Sequence, residues 1–155
     1  KIEMERELKH LIKMLQHTYE KNAWHGPAVK EVLENVTAAD AQKRLPNSHS
    51  IIELVAHMTA WRIFVVKKLQ GNTDYKVTDE MNFTTPADWA KVLEELDASQ
   101  ARLLEALRGF DSSKLYESVP HGSYNYNFYT LLNGIIQHDL YHAGQIALLK
   151  KVQSI

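Results

Sequence analysis

The chain has 155 residues, with 18 Lys and Arg against 19 Asp and Glu, a formal net charge of −1, and no cysteine. This length suits one domain with one sizeable core. The near-zero charge argues against electrostatic capture of nucleic acid or of an anionic membrane. No apolar run approaches the roughly 18 residues needed to span a bilayer. The lack of cysteine removes disulfides, thiolate metal ligands and a cysteine nucleophile, and fits a reducing cytosol. Histidine is the unusual residue, with eight in the chain.

In chain order, Met4, Leu8, Leu11, Leu15 and Tyr19 recur at helical spacing and predict a first amphipathic helix. Gly26 and Pro27 either bend this helix or open a new one, with Pro27 tolerated in a first turn. "TAADAQKRLP" reads as a short helix capped near Thr37 and stopped by Pro46. A second long helix is expected from Ser48 or Ser50 to Leu69, ended by Gly71. Its middle, "IIELVAHMTAWRIFVV", is apolar on most sides, as in a helix buried within a bundle.

Residues 71–85 are polar and read as a long loop. The third long helix is placed from near Pro86, with Thr85 as its cap, to Gly109, on a stripe of Trp89, Leu93, Leu96, Leu103, Leu107 and Phe110. A short helical turn and a tyrosine-rich loop, "VPHGSYNYN", fill residues 111–127. The fourth long helix is expected from Phe128 to Val152. Four long helices with short accessory helices in the connections, and no strand signal, predict an all-α four-helix bundle forming a single domain over 1–155.

The fourth helix turns Leu131, Ile135, His138, His142, Ile146 and Leu149 to one face. Residues four apart on a helix have Cβ atoms roughly 5–6 Å apart, so His138 and His142 can address one ion. His57, on the face that carries Leu54, Trp61 and Phe64, is the candidate third ligand from the buried second helix. Two readings of these rings stand at this point. Core histidines can be satisfied by ordinary polar partners, and an i, i+4 pair can be mere packing. A divalent cation would satisfy all three at once. His49 sits at a helix entrance and suits a cap or loop contact, His10 and His17 flank an apolar stripe and suit the surface, and His25 and His121 fall in loops.

"HSIIELVAHMTAW", followed some eighty residues later by "QHDLYHAGQIALLKK", resembles the DinB-like superfamily, which includes the YfiT-type metalloenzymes, and "AWHGPAVKEVLENV" matches a common branch of it. The resemblance covers nearly the whole chain. It implies a four-helix bundle of the DinB/YfiT-like type with a divalent metal, usually nickel or zinc with iron as a third option, on His57, His138 and His142. It also implies homodimers, and relatives that act as thiol S-transferases on small electrophiles with a low-molecular-weight thiol.

Three neutral imidazoles leave a cation its full charge and an open position, the pattern of a catalytic site. Such an ion can activate water or deprotonate a thiol. The expected activity is therefore a cytoplasmic metal-dependent thiol transfer. A metal-dependent hydrolase and a non-catalytic, stress-associated metal-binding bundle are the alternatives. A metalloprotease would read H-E-x-x-H, whereas Asp139, Leu140 and Tyr141 follow His138 here. Neither a nucleophile elbow nor a glycine-rich phosphate loop occurs.

Asp139 steps about 100° off the ligand face, which favours a solvent or interhelix contact. Gln145, three residues after His142, is a candidate catalytic or ligand-orienting residue, or else a polar contact to a neighbouring helix. Glu53, one turn before His57, is a candidate general base or a surface glutamate, the surface role being favoured. Gly144 suggests close approach of another helix. Tyr124, Tyr126 and His121 either wall a cleft or simply pack.

Overall fold

In the computed structural model, which describes residues 2–120 and 125–154, the apolar periodicities become helices. Among the described residues, seven α-helices run in the order α1 (Ile2–Tyr19), α2 (Val29–Leu33), α3 (Ala38–Gln42), α4 (Ile51–Leu69), α5 (Asp79–Asn82), α6 (Trp89–Arg108) and α7 (Phe128–Gln153), with a 3₁₀ turn at Ser112–Lys114. Among the described residues there is no strand, only an isolated bridge between Ser118 and Asn127. No described helix is long and apolar enough to cross a membrane. The architecture is all-α. Long helices α1, α4, α6 and α7 pack on one another, and the short ones occupy the connections.

Helix boundaries follow local chemistry. At the start of α4, the Ser50 amide and hydroxyl both donate to the Glu53 carboxylate, at 2.7 and 2.9 Å. Arg44 pairs with the same carboxylate. At its other end Gly71 adopts a left-handed φ of +81°. Its N–H reaches the Lys68 carbonyl at 3.1 Å, and the Asn72 N–H reaches Lys67 at 2.9 Å, the paired bonds of a glycine-terminated helix. Thr37 caps α3 as expected, accepting from the Asp40 amide at 3.2 Å.

Two boundaries differ from the sequence expectation. Helix α6 begins at Trp89, because the Asp88 carboxylate accepts from the Lys91 amide at 3.1 Å and caps it there in place of Thr85. Trp89 then donates its indole N–H to the Val36 carbonyl at 3.0 Å, tying α6 to the segment before α3. The expected loop at 71–85 contains α5, capped by Thr78, whose hydroxyl accepts from the Met81 amide.

The buried apolar side chains form two clusters. One gathers Tyr19, Val32, Ile51, Met58, Leu96, Ala143 and Ile146. The other gathers Leu8, Leu15, Val65, Leu103, Phe128, Leu132 and Ile135. Helices α4 and α7 thread both clusters in opposite senses. The stretch between them on each helix, near 57–62 on α4 and 138–142 on α7, carries a polar layer. Each large side chain buried on either side contributes roughly 1.5–3 kcal/mol, which offsets the cost of holding polar groups in the middle.

Candidate metal centre

The polar layer has two parts. In the inner part, Arg62 and Asp139 are both fully buried and form an ion pair between α4 and α7. Arg62 also donates to the Gln100 side chain of α6, and its guanidinium lies over the Tyr19 ring at 4.6 Å. The Tyr19 hydroxyl in turn donates to Asp97 at 2.5 Å. Burial pushes the Asp139 carboxyl up, and the Arg62 charge and hydrogen bond oppose it. Asp139 is thus an interhelix contact, and the solvent alternative is excluded.

In the outer part, His57 from α4 meets His138 and His142 from α7. The Nε2 atom of His138 lies 3.0 Å from Nε2 of His57 and 3.1 Å from Nε2 of His142. Nitrogens of all three rings lie within 4.8 Å of one another. The remaining nitrogens assign the protons. His57 Nδ1 is 2.7 Å from the backbone carbonyl of Asn82, which can only accept, so this nitrogen carries the hydrogen. His142 Nδ1 is 2.6 Å from Gln145 Oε1 and donates in the same way. Both neutral rings therefore turn an Nε2 lone pair toward His138.

One hydrogen on His138 can satisfy only one of those lone pairs. Its own Nδ1 is buried with no hydrogen-bond partner among the described residues. A cation satisfies all three inward nitrogens. Nitrogens each about 2.1 Å from one ion sit about 3.0 Å apart at right angles and about 3.4 Å apart at the tetrahedral angle, so the two separations from His138 match donors that share an ion. Burial lowers the proton affinity of every ring. His138 falls to about 3, with the neighbouring His142, His57 and Arg62 charges adding to the effect. His57 and His142 are lowered by burial too, partly opposed by their Asn82 and Gln145 hydrogen bonds. Neutral imidazole, the form that binds metals, prevails at pH 7.

The wall around His57 comes from the segment that the sequence presented as a loop. Phe83 stacks on His57 at 4.0 Å between ring centres, and His49 stacks on Phe83 at 3.8 Å. Asn82 makes two contacts, since its carbonyl holds His57 and its side-chain oxygen accepts from the Trp61 indole at 3.0 Å. Trp61 stands against both His57 and His138. Neither Asn82 nor Phe83 was evident beforehand. Their one signal was Thr78 followed by Asp79 and Glu80, a helix-start pattern inside a polar stretch.

The other expected residues fall as follows. Gln145 accepts a hydrogen bond from His142 through its side-chain oxygen. Glu53 is buried rather than a surface residue, because its carboxylate is engaged by Ser50 and Arg44 at the start of α4. These contacts, together with the backbone N–H, hold its pKa low against burial. His49 stacks on Phe83, which is its loop-contact alternative. His10 and His25 are exposed, and His17 is half-exposed with its ring nitrogen 3.1 Å from the Lys21 carbonyl. Gly144 fails its expectation, since a Cβ there would meet nothing within 4 Å and no helix approaches closely. Tyr126 is half-buried beside the site, whereas His121 and Tyr124 lie outside the described residues.

The family model of the DinB superfamily matches residues 23–146, a span that contains all three histidines and both residues of the Arg62–Asp139 pair. This chain belongs to the DinB superfamily. No curated protein matches its sequence. In DinB-superfamily terms, the matched region begins after α1 and ends within α7 at Ile146, so it takes in the whole histidine cluster and its Gln145 support.

Proposed function

We propose that this DinB-superfamily protein is a metal-dependent enzyme, with one divalent cation on His57, His138 and His142, and that it transfers a low-molecular-weight thiol to a small electrophile. The observation that carries this reading is the convergence of three inward Nε2 atoms, on rings of which two, His57 and His142, already have their outer nitrogens engaged. Nickel or zinc suits imidazole donors, and iron is the third choice. Bound there, the ion supplies the positive charge that keeps a thiol deprotonated at neutral pH.

The chain's own residues do the rest. Asn82 and Gln145 fix the tautomer and orientation of two rings, and Trp61 and Phe83 screen them from water. In the transfer, a sulfur–carbon bond forms as the bond from carbon to the leaving group breaks, and the thiol proton passes to solvent. Thiol transfer is favoured over hydrolysis because the carboxylates closest in sequence to the ligands are committed elsewhere. Asp139 serves Arg62, and Glu53 serves Ser50 and Arg44. Neither is left to act as a general base toward water. The same reading takes the protein as cytoplasmic, which the absence of cysteine suits, and as a homodimer. Exposed Tyr141, Leu148 and Val152 on α7 support the dimer.

His142→Ala tests the reading. The variant is assayed with a panel of thiols and an alkylating fluorophore, alongside metal content and melting temperature. Loss of metal and of turnover with a nearly unchanged melting temperature is expected. A large fall in stability, with neither protein active toward thiol or ester substrates, would favour an ion that only supports the fold.

A further inference from the structure

Beside the histidine cluster lies a cavity of about 250 Å³, walled by Trp61, Phe64 and Val65 of α4 and by Leu131 and Ile135 of α7. His138 closes one side of it, so the cavity and the cluster share a residue. Gly134 and Thr130, both exposed, line it with half-buried Tyr126. Among the described residues no charged side chain lines this space.

Gly134 bears on what the cavity is for. Glycine inside a helix costs about 1 kcal/mol relative to alanine. Packing gives no reason for it here, since a Cβ at Gly134 would meet no atom within 4 Å. Gly134 is one of the residues that line the cavity. A dry apolar cavity of about 150 Å³ already takes up benzene. One of about 250 Å³ accommodates an aromatic ring with a short substituent.

We infer that this cavity is the subsite for the electrophile's non-reacting part, an uncharged aromatic or branched hydrocarbon group, and that Gly134 sets its size. The inference rests on the metal-dependent reading for its placement beside the reacting centre. It deepens that reading by naming a substrate class. An anionic or strongly polar group lying against these apolar walls would lose hydration with no polar partner there, which costs several kcal/mol. The walls therefore select against it.

Trp61 supplies the test. In a Trp24→Phe background, which removes the fully exposed indole, p-nitrotoluene is titrated as an apolar quencher and p-nitrobenzenesulfonate as its charged counterpart. Saturable quenching by the first and none by the second is expected. Gly134→Leu should weaken p-nitrotoluene binding by about tenfold or more, and Gly134→Ala by less. Metal content of both variants should stay at the parent level. Unsaturable quenching, equal binding of both probes, or unchanged affinity in Gly134→Leu would overturn the subsite. The titration is repeated after chelation. A protein that binds p-nitrotoluene but never holds metal keeps the subsite and loses the proposed function. One that holds metal and transfers thiols without binding the probe does the reverse.

Discussion

Asp139→Leu should be among the most destabilising single changes in the molecule. The carboxylate and the Arg62 guanidinium are both fully buried, and among the described residues Arg62 pairs with Asp139, bonds Gln100 and lies over the Tyr19 ring. Removing the carboxylate strands a cation in the core. Breaking a buried pair from one side costs about 3–5 kcal/mol, because the remaining charge is uncompensated. Replacing both members by apolar residues of similar volume is often neutral or stabilising. Arg62→Met with Asp139→Leu should therefore recover most of the loss, giving a coupling of at least about 2 kcal/mol. The assay is urea denaturation of chelator-treated wild type, both single variants and the double variant, read from midpoints at matched slopes. A loss below about 1 kcal/mol in Asp139→Leu, or additive single effects, would refute the reasoning. Because Asp139 neighbours His138 and Arg62 shares α4 with His57, the pair also ties together the two helices that carry the histidine cluster. Metal affinity should fall in both single variants.

Four further outcomes follow from the same contacts. Gln145→Leu removes the acceptor for His142 and should lower metal affinity about 10- to 100-fold, while Gln145→Glu should restore it, as read by competition with a chromogenic chelator. Asn82→Ala leaves the backbone carbonyl that holds His57 but frees the Trp61 indole. It should cost about 1 kcal/mol, shift Trp61 emission and leave metal stoichiometry intact, whereas loss of the metal would contradict the assignment. In metal-free protein, His138 should stay neutral until pH falls to about 3. Its folded value lies below the ordinary 6.5, so its contribution to stability is complete above that pH and is lost as pH falls toward about 3. Ring NMR shifts report this directly, and a midpoint above 6 would be inconsistent. Glu53→Gln should lower stability through the α4 start but leave metal content and turnover unchanged, and a turnover loss would return Glu53 to the chemistry.

The parts of the fold readable in the sequence were those with a period. Leu8, Leu11, Leu15 and Tyr19 face inward on α1 because apolar residues three and four apart must share a side of a helix. The same rule singled out His138 and His142, as polar residues inside an apolar stripe call for a partner. His57 stood out because α4 is apolar around most of its circumference. Contacts without a period stayed hidden. Asn82 holds His57 through its backbone carbonyl, a group every residue has. Phe83 follows a four-residue helix too short for periodicity. Asp139 steps off the ligand face, yet α7 is buried on that side also, and its partner Arg62 lies five residues beyond His57, away from any motif. Glu53 has the charge of a surface residue, but its role as acceptor for Ser50 draws it inward.

X-ray absorption at the metal edge, on untagged protein as purified, addresses the central claim most directly. One divalent ion per chain with scattering from three imidazole rings at about 2.0–2.1 Å is the predicted result, reduced in each of His57→Ala, His138→Ala and His142→Ala. A spectrum showing fewer than three imidazoles, or a chain that takes up no ion from nickel, zinc or iron, would contradict it.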